Sequence, residues 1–433
     1  MLAADALRMA ADAGATSCNI EVSEGFGQNV SVRVGAVETI EYNRDKGIGI
    51  TVYLGQAKGH SSTSDFSPTA IRQAVEAAVA IARYTAADDC AGLPDREQLA
   101  TVFPELDLYH PWDLSVERAI ELALSCEAAA RNIDPRITNS DGAGVSSHAT
   151  HFVYANSLGF SGYSVSSRHS MSCSVIAEEN DTMQRDYWYT TARAAEDLES
   201  AIAVGEHAGR RTLARLGARR IKTAQVPVLF DPSQAAGLFG HLVSAVSGGS
   251  LYRRSSFLLD SLGKPVMAPC VNVHETPFLP RGLASSPFDG EGVAVHERDL
   301  VENGVLNGYF LSSYTARKLG MTTTGNAGGC HNLLIKPTIT GGQAELIKTM
   351  GRGLLVTELL GHGINMVTGD YSHGAAGFWV ENGEIVHPVE EVTIAGNLKD
   401  MFMGIQAIGS DLETRGSKRV GSVLIDRMMV AGE

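Results

Sequence analysis

The sequence lacks several features that would assign it to a familiar class of protein. It has no run of about 18 apolar residues, which a membrane-spanning helix requires, and no basic N-terminal stretch typical of a signal peptide. Its six cysteines are scattered and form no C-x-x-C pair, so neither a disulfide framework nor a cysteine zinc site is indicated. We therefore expect a soluble cytoplasmic protein with reduced thiols and no contact with a membrane.

Positive charge is also scarce. The 35 lysines and arginines are outnumbered by 49 aspartates and glutamates, which gives a net charge of −14. The densest basic stretch, residues 210–222, is interleaved with leucine and isoleucine, a pattern typical of the solvated face and end of a helix. Because nucleic-acid backbones are bound by clustered cations, we expect no direct nucleic-acid partner.

Complete catalytic motifs are absent too. The sequence contains no G-x-x-x-x-G-K-[ST], no G-x-G-x-x-G between a strand and a helix, and no G-x-S-x-G. Two His-Glu pairs occur, at His274 and His296, but neither is followed by a second histidine one helical turn later. The sequence therefore predicts a protein that works as one subunit of a larger assembly.

The length of the chain predicts two domains. Its 433 residues exceed the roughly 250–300 residues at which a single core stops growing. After about residue 221 the sequence becomes rich in glycine and in strand-like segments, with few helical segments. We therefore expect domains at residues 1–220 and 221–433. The overall fold class is predicted to be α+β.

The N-terminal domain is predicted to contain helices and antiparallel meanders that form an internal duplication. A helix over residues 2–14 precedes short alternating strands separated by turns at Gly25, Gly27, Gly35 and Gly55, and Pro68 then begins a second helix. The order recurs: Ser115 caps a helix, alternating segments follow at residues 150–154, 159–168, 170–178 and 187–191, and a charged helix covers residues 194–216.

The C-terminal domain is predicted to be glycine-rich and mainly antiparallel β, with few helices, one of them over residues 233–247. Its most concentrated polar chemistry lies late, in glycine-rich stretches that we interpret as loops at residues 325–332 and 369–374. They carry Asn326, His331, Asn332, Asp370, Tyr371 and His373. Flexible backbone beside such side chains is typical of a ligand-binding loop, although tight turns in a large sheet use the same residues.

These late stretches also carry a resemblance to a known family. Residues 369–384, 388–402 and 421–426 resemble the PmbA (or TldE) branch of the TldD/PmbA family, called modulator of DNA gyrase in older usage. The resemblance covers nearly the whole chain. It implies a heterodimeric metalloprotease that cuts unfolded peptides, with roles in peptide-antibiotic maturation and antitoxin degradation.

The resemblance also implies that this chain lacks the metal site. The TldD branch carries a helical H-E-x-x-x-H and a late cysteine, and the matching positions here are Gly240, His241 and Ala245. No cysteine follows Cys330. We expect no catalytic residue, no metal and no cofactor in this chain, and zinc in a TldD-like partner. The paired arginines Arg253 and Arg254 could bind a peptide carboxylate or a partner's acid, or cap a helix end.

Three functional hypotheses follow. The first is a non-catalytic subunit, in which the two late loops line a shared cleft and the partner's metal hydrolyses an extended peptide bound by strand addition. Substituting Asp370 or His331 is then expected to slow cleavage without blocking assembly. The second is a stand-alone regulatory protein that binds peptides or a toxin. The third is a self-sufficient hydrolase that uses His331, His362, Asp370 and His373. A homodimer of the isolated chain is also expected to be possible.

Overall fold

The N-terminal half of the chain builds one six-stranded antiparallel sheet from two similar units. The computed structural model describes residues 2–432. The first unit comprises α1 (Leu2–Asp12), β1 (Ser17–Arg33), β2 (Ala36–Leu54), β3 (Ala57–Thr63) and α2 (Pro68–Tyr84). The second comprises α3 (Val116–Arg131), β4 (Ile137–Asn156), β5 (Ser161–Glu179), β6 (Thr182–Ala192) and α4 (Ala201–Ala214). The order of helix, three strands and helix thus occurs twice.

The two units meet at the centre of the sheet. Its strand order is β3-β2-β1-β4-β5-β6, so the first strand of each unit pairs with the first strand of the other. Helices α1 and α2 pack on one end of the sheet and α3 and α4 on the other, each pair over its own alanine- and valine-rich core. Serine caps predicted from the sequence are present, because Ser115 Oγ accepts a hydrogen bond from Arg118 N at 3.2 Å.

The strands are longer than the sequence predicts. The turns predicted at Gly25 and Gly27 are wrong, because both glycines lie inside β1 and pair with Asp45 and Asn43 of β2. A glycine in a strand keeps its backbone hydrogen bonds, and at Gly27 a Cβ would lie 2.2 Å from His148 Nδ1, so any larger residue would displace that imidazole. The segments predicted at 159–168 and 170–178 likewise form one strand, β5.

The C-terminal half contains two further sheets and short helices. Its elements, in chain order, are β7 (Ala224–Phe230), α5 (Pro232–Ala245), α6 (Gly248–Tyr252), β8 (Val273–Thr276), β9 (Arg298–Glu302), β10 (Val305–Leu306), α7 (Ser313–Lys318), β11 (Asn332–Ile335), α8 (Gln343–Met350), β12 (Gly353–Leu360), β13 (Asp370–Glu381), β14 (Glu384–Asn397), α9 (Leu398–Met403), β15 (Ile405–Ile408), β16 (Lys418–Arg419) and β17 (Val423–Ala431). One sheet has the order β10-β9-β8-β11-β16 and the other β14-β13-β12-β7-β17-β15. Pairing is antiparallel except between β7 and β12 and between β11 and β16.

Helix α5 shares one hydrophobic core with both C-terminal sheets. It begins after Asp231, whose Oδ1 accepts a hydrogen bond from Gln234 N at 2.9 Å. Its inward side chains Leu238, Phe239 and Leu242 are fully buried. Its opposite face is open, with Gly237 and Ser244 exposed. The core therefore fixes the position of the helix while leaving one face accessible.

Ion pairs join the N-terminal sheet to the C-terminal half. The prediction that the basic stretch is a solvated face is wrong for Arg211 and Arg215, whose side chains are only 22% and 12% exposed. Arg215 Nη1 lies 2.5 Å from Glu358 Oε2 of β12, and the Arg215 and Arg211 guanidiniums also contact Asp186 of β6. The Arg415 guanidinium lies 3.8 Å above the Trp188 ring. The boundary predicted near residue 221 falls between α4 and β7 and stays a prediction.

None of the helices within residues 2–432 combines the length and the apolar character that crossing a membrane requires.

A buried carboxylate holds the turn between β1 and β2. Glu127 of α3 is buried and accepts hydrogen bonds from Val34 N at 2.8 Å and Gly35 N at 2.7 Å. Val34 has a φ of 50°, which is unfavourable for a β-branched residue. The carboxylate therefore stabilises a turn that the side chain of Val34 disfavours.

We predict that Glu127→Gln lowers the free energy of unfolding by about 2 kcal/mol, because an amide cannot accept from both N–H groups. Urea denaturation of the wild type and the variant measures this change. Glu121→Gln on the same helix is the matched control, since its ion pair with Arg118 is exposed and such pairs contribute less than about 1 kcal/mol. Equal effects of the two substitutions would contradict the role given to Glu127.

Candidate functional site

A buried carboxylate organises the glycine-rich loop before β11. Glu275 of β8 is 1% exposed. Its Oε1 accepts hydrogen bonds from His331 N at 2.9 Å, His331 Nδ1 at 3.1 Å and Asn326 Nδ2 at 2.8 Å. Its Oε2 accepts one from Arg298 Nε at 2.7 Å, and Arg298 Nη2 also donates to Asn326 Oδ1. Because a carboxylate only accepts, the proton of the His331 ring lies on Nδ1.

These donors keep Glu275 ionised. Burial alone would raise the pKa of Glu275, but the hydrogen bonds from His331 and the charge of Arg298 outweigh it and lower that pKa to about 2. Sequence reasoning considered Glu275 only as part of a His-Glu pair and missed its role here, and it missed Arg298 altogether. A signal was present, because the alternation of Val271, Val273 and Glu275 places the glutamate on the inward face of its strand.

Helix α5 carries the three positions that the sequence comparison with the TldD branch predicts to match the metalloprotease motif. Ala245 is fully buried in the core. A Cβ at Gly240 would lie 3.7 Å from Lys418 Cε. His241 is half-buried, and its ring centroid lies 6.1 Å from that of Tyr371. Glycine and alanine have no side-chain atoms that could bind a metal, and the ammonium group of Lys418 would repel a divalent cation. These three positions therefore do not fit a metal ion.

Within residues 2–432, no three or more His, Cys, Asp or Glu side chains are grouped so that they could hold a metal ion.

Tyr371 and His373 lie on a strand next to this helix. The interpretation of residues 369–374 as a glycine-rich loop is wrong from Asp370 onward, since β13 begins there and pairs Tyr371 with Gly396 and His373 with Ile394. Exposed Asp370 and Ser372 alternate with buried Tyr371 and His373, as expected of a strand with one buried face. The rings of Tyr371 and His373 are 4.7 Å apart.

The surroundings of His241 are positively charged. Its pKa is lowered to about 4, first by burial and then by the nearby His373 and Lys418. His241 is therefore neutral at pH 7, with one ring nitrogen carrying a proton. Sequence reasoning had no local signal for Lys418, which lies far along the chain on the edge strand β16.

The other predicted site residues lie apart from these two groups. Asn332 joins two segments of backbone, because its Oδ1 accepts from Ala284 N and its Nδ2 donates to Thr276 O, both at 3.0 Å. Asp370 is exposed and accepts from Thr368 Oγ1 at 2.6 Å. Arg253 and Arg254 are exposed at the end of α6. This position agrees with the second of the two predicted roles, at a helix end.

The structure therefore divides the predicted residues into two groups. Asn326 and His331 surround Glu275, while Tyr371 and His373 lie with His241. Cys330 lies near both groups: burial raises the pKa of its thiol, Lys418 opposes that rise and Glu275 adds to it. A shared cleft lined by both segments stays a prediction.

The pKa of Glu275 generates a prediction about stability and pH. Its folded pKa of about 2 lies below the ordinary value of 4.5, so the carboxylate stabilises the fold above pH 4.5 and this contribution is lost as the pH falls toward 2. We expect Glu275→Gln to cost about 3–5 kcal/mol at pH 7, because it leaves the Arg298 charge uncompensated. The difference from wild type should shrink in acid.

Urea denaturation at a series of pH values from neutral to strongly acidic measures this difference. Glu302→Gln, at an exposed position of β9, is the control and should differ little from wild type at any pH. A difference for Glu275→Gln that stayed constant from pH 7 to pH 3 and below would show that its charge is not the cause.

Comparisons with known proteins give a consistent assignment. Three sequence models described as PmbA/TldA metallopeptidase match the chain: domain 1 at residues 18–82, the central domain at 109–216 and the C-terminal domain at 223–432. Metalloprotease PmbA of Escherichia coli O157:H7 is 51% identical over 418 residues, covering 96% of this chain and 92% of the relative. The Metalloprotease PmbA homolog of Haemophilus influenzae is 49% identical over 427 residues, covering 99% and 94%.

Similarity extends to solved structures and to the other branch of these proteins. A crystal structure from Bacteroides thetaiotaomicron, described as a candidate modulator of DNA gyrase, has a TM-score of 0.94 at 26% identity and covers 100% of this chain and 98% of that one. The Metalloprotease TldD homolog of Haemophilus influenzae is only 22% identical over 399 residues, covering 88% of this chain and 82% of the relative. The chain therefore belongs to the TldD/PmbA metallopeptidase family, and within it to the PmbA, or TldE, branch.

Proposed function

We propose that this chain is the PmbA/TldE-type subunit of a two-chain metalloprotease, in which a TldD-type partner binds zinc and the pair cuts unfolded peptides. One observation carries the proposal. Helix α5 packs as an ordered helix, and the positions in it that we match to the metal-binding motif hold Gly240, His241 and Ala245. In this proposal, the helix that would carry the metal site is therefore present in this chain without a set of ligands for the metal.

The packing of α5 supports this proposal. Leu238, Phe239 and Leu242 anchor the inward face of the helix, so its backbone position does not depend on a metal. On the accessible face, the Lys418 side chain approaches Gly240. A lysine ammonium about 4 Å from a divalent cation would cost on the order of 8 kcal/mol at an effective dielectric constant of 20. The charge at this position therefore favours a chain without its own metal.

The wider proposal follows from the family. We infer that the pair acts in the cytoplasm on peptides such as antibiotic precursors and antitoxins, and that it contacts no nucleic acid directly. The peptide would lie along the accessible face of α5, beside Tyr371 and His373, with Arg253 and Arg254 at the end of the following helix. The isolated chain would be able to form a homodimer, because a chain related to its partner can occupy the partner's place.

We predict that the purified chain alone contains no stoichiometric zinc and does not cut an unfolded polypeptide. Its mixture with a TldD-type paralogue should contain zinc and cut the polypeptide. Zinc is measured by inductively coupled plasma mass spectrometry and cleavage by gel analysis of a reduced, carboxymethylated protein. A paralogue whose motif glutamate is changed to glutamine is the control and should bind this chain without cleaving.

Two results would overturn the proposed function. Stoichiometric zinc and cleavage by this chain alone would mean that its own residues form an active site. Full activity of the paralogue alone, unchanged by adding this chain, would mean that this chain is not a subunit of the protease.

A further inference from the structure

Four side chains from three elements lie close together beside α5, with Tyr371 and His373 buried and His241 and Lys418 partly exposed. His241 comes from the helix itself, Tyr371 and His373 come from β13, and Lys418 comes from the edge strand β16. The ring contacts run from His241 to Tyr371 and from Tyr371 to His373. Lys418 approaches the helix at Gly240, one residue before His241. We call these four residues the α5 pocket.

His373 is the least satisfied side chain in the α5 pocket. It is 8% exposed, and both Nδ1 and Nε2 are buried without a hydrogen-bond partner in the part of the chain that the structure describes. An imidazole always carries at least one N–H donor, and a buried donor without an acceptor is unfavourable. The sheet keeps this part of β13 in place, because β14 pairs with it at His373 and β12 pairs with it from Gly374 onward. His373 is therefore held ready to donate to a group that the protein does not supply.

The charge around His373 indicates the sign of that group. Within residues 2–432, no carboxylate oxygen lies within 4.0 Å of Lys418 Nζ. The charged neighbours that act on His241 are His373 and Lys418, and both are basic. The nearby acid Glu275 acts on Cys330, but its oxygens are already bound by His331, Asn326 and Arg298. The α5 pocket thus has donors and positive charge without a compensating acid.

We propose that the α5 pocket binds a carboxylate group, which accepts hydrogen bonds from His373 and His241 and pairs with Lys418. A single negative charge matches the single permanent cation of the pocket, and a carboxylate has two oxygens for the separate donors. The aromatic ring of Tyr371, which contacts both imidazoles, forms an apolar side for the molecule that carries the carboxylate. Two kinds of molecule could supply this carboxylate, namely a small free carboxylate and the C-terminal end of a peptide. Only the peptide end rests on the proposed function.

The test compares ligands that differ in this one group. Isothermal titration calorimetry of the wild-type chain at pH 7 would use acetate, N-acetyl-trialanine with a free carboxylate, and the same tripeptide as its C-terminal amide. We expect the free acid to bind at least tenfold more tightly than the amide. The proposal would be overturned if the free acid and the amide bound equally well, or if neither acetate nor the free acid bound.

Variants assign the binding to these residues. Lys418→Met should weaken binding of the free acid about tenfold, and Lys58→Met, the same change at an exposed position of β3, should leave it unchanged. His373→Gln is the second variant and should also weaken binding of the free acid. Circular dichroism checks that this variant keeps its fold. Full binding by both Lys418→Met and His373→Gln would place the carboxylate elsewhere.

The same titrations distinguish the source of the carboxylate. Tighter binding of the tripeptide acid than of acetate indicates a peptide end, whereas equal affinities indicate a small free carboxylate, and both results support the pocket. Inorganic phosphate binding more tightly than acetate would contradict the choice of a carboxylate. Because the chain is tested alone, failure of the mixed protease assay would leave this result unaffected.

Discussion

The charge of Glu275 in the interior is the constraint on which the arrangement of the candidate site depends. A buried carboxylate is tolerated only when donors surround it, and here the donors come from β9 and from the loop before β11. The side chain of Asn326 and the backbone and ring of His331 all reach one oxygen, so the loop between them has little freedom. Cys330, next to His331 in this loop, is thereby held where the charges of both Lys418 and Glu275 act on its thiol. One interior charge therefore fixes a loop that its glycines alone would leave flexible.

Local signals predicted much of the fold. A serine at the start of a helix, proline in the first turn and the spacing of apolar residues all act within a few positions, and they located α2, α3 and α5 closely. The same signals failed at Gly25, Gly27 and residues 370–374, where glycines were interpreted as turns or loops. A glycine in a strand and a glycine in a turn have similar neighbours in sequence. What distinguishes them is the pairing strand, and the imidazole that fills the space beside Gly27 belongs to His148, more than a hundred residues away.

The candidate site was predictable only in part, because some of its residues lie in one local segment and others come from distant parts of the chain. Tyr371 and His373 were identified because polar side chains beside glycine-rich backbone are typical of a ligand-binding loop. Their neighbours Lys418 and His241 come from distant segments, and His241 was noted only for its place in a motif. Arg211 and Arg215 show the limit most clearly. Their spacing fits an exposed helix face, but acids on β6 and β12 make that face an internal contact. Charge pairing across distant segments leaves no periodic trace in the sequence.

Helix α5 explains how a family scaffold can remain while the chemistry of its open face changes. The inward residues are constrained by a core shared with two sheets, so substitutions there would disturb the whole C-terminal half. The outward residues carry no such constraint, and in our proposal they have exchanged metal ligands for Gly240 and a neighbouring lysine. A site that binds a dication needs negative or lone-pair donors, whereas Lys418 and the His373 ring favour a negative ligand. In these proposals, the same backbone holds a metal ion in one subunit and an anion in the other, because the sign of the charge depends on a few outward side chains.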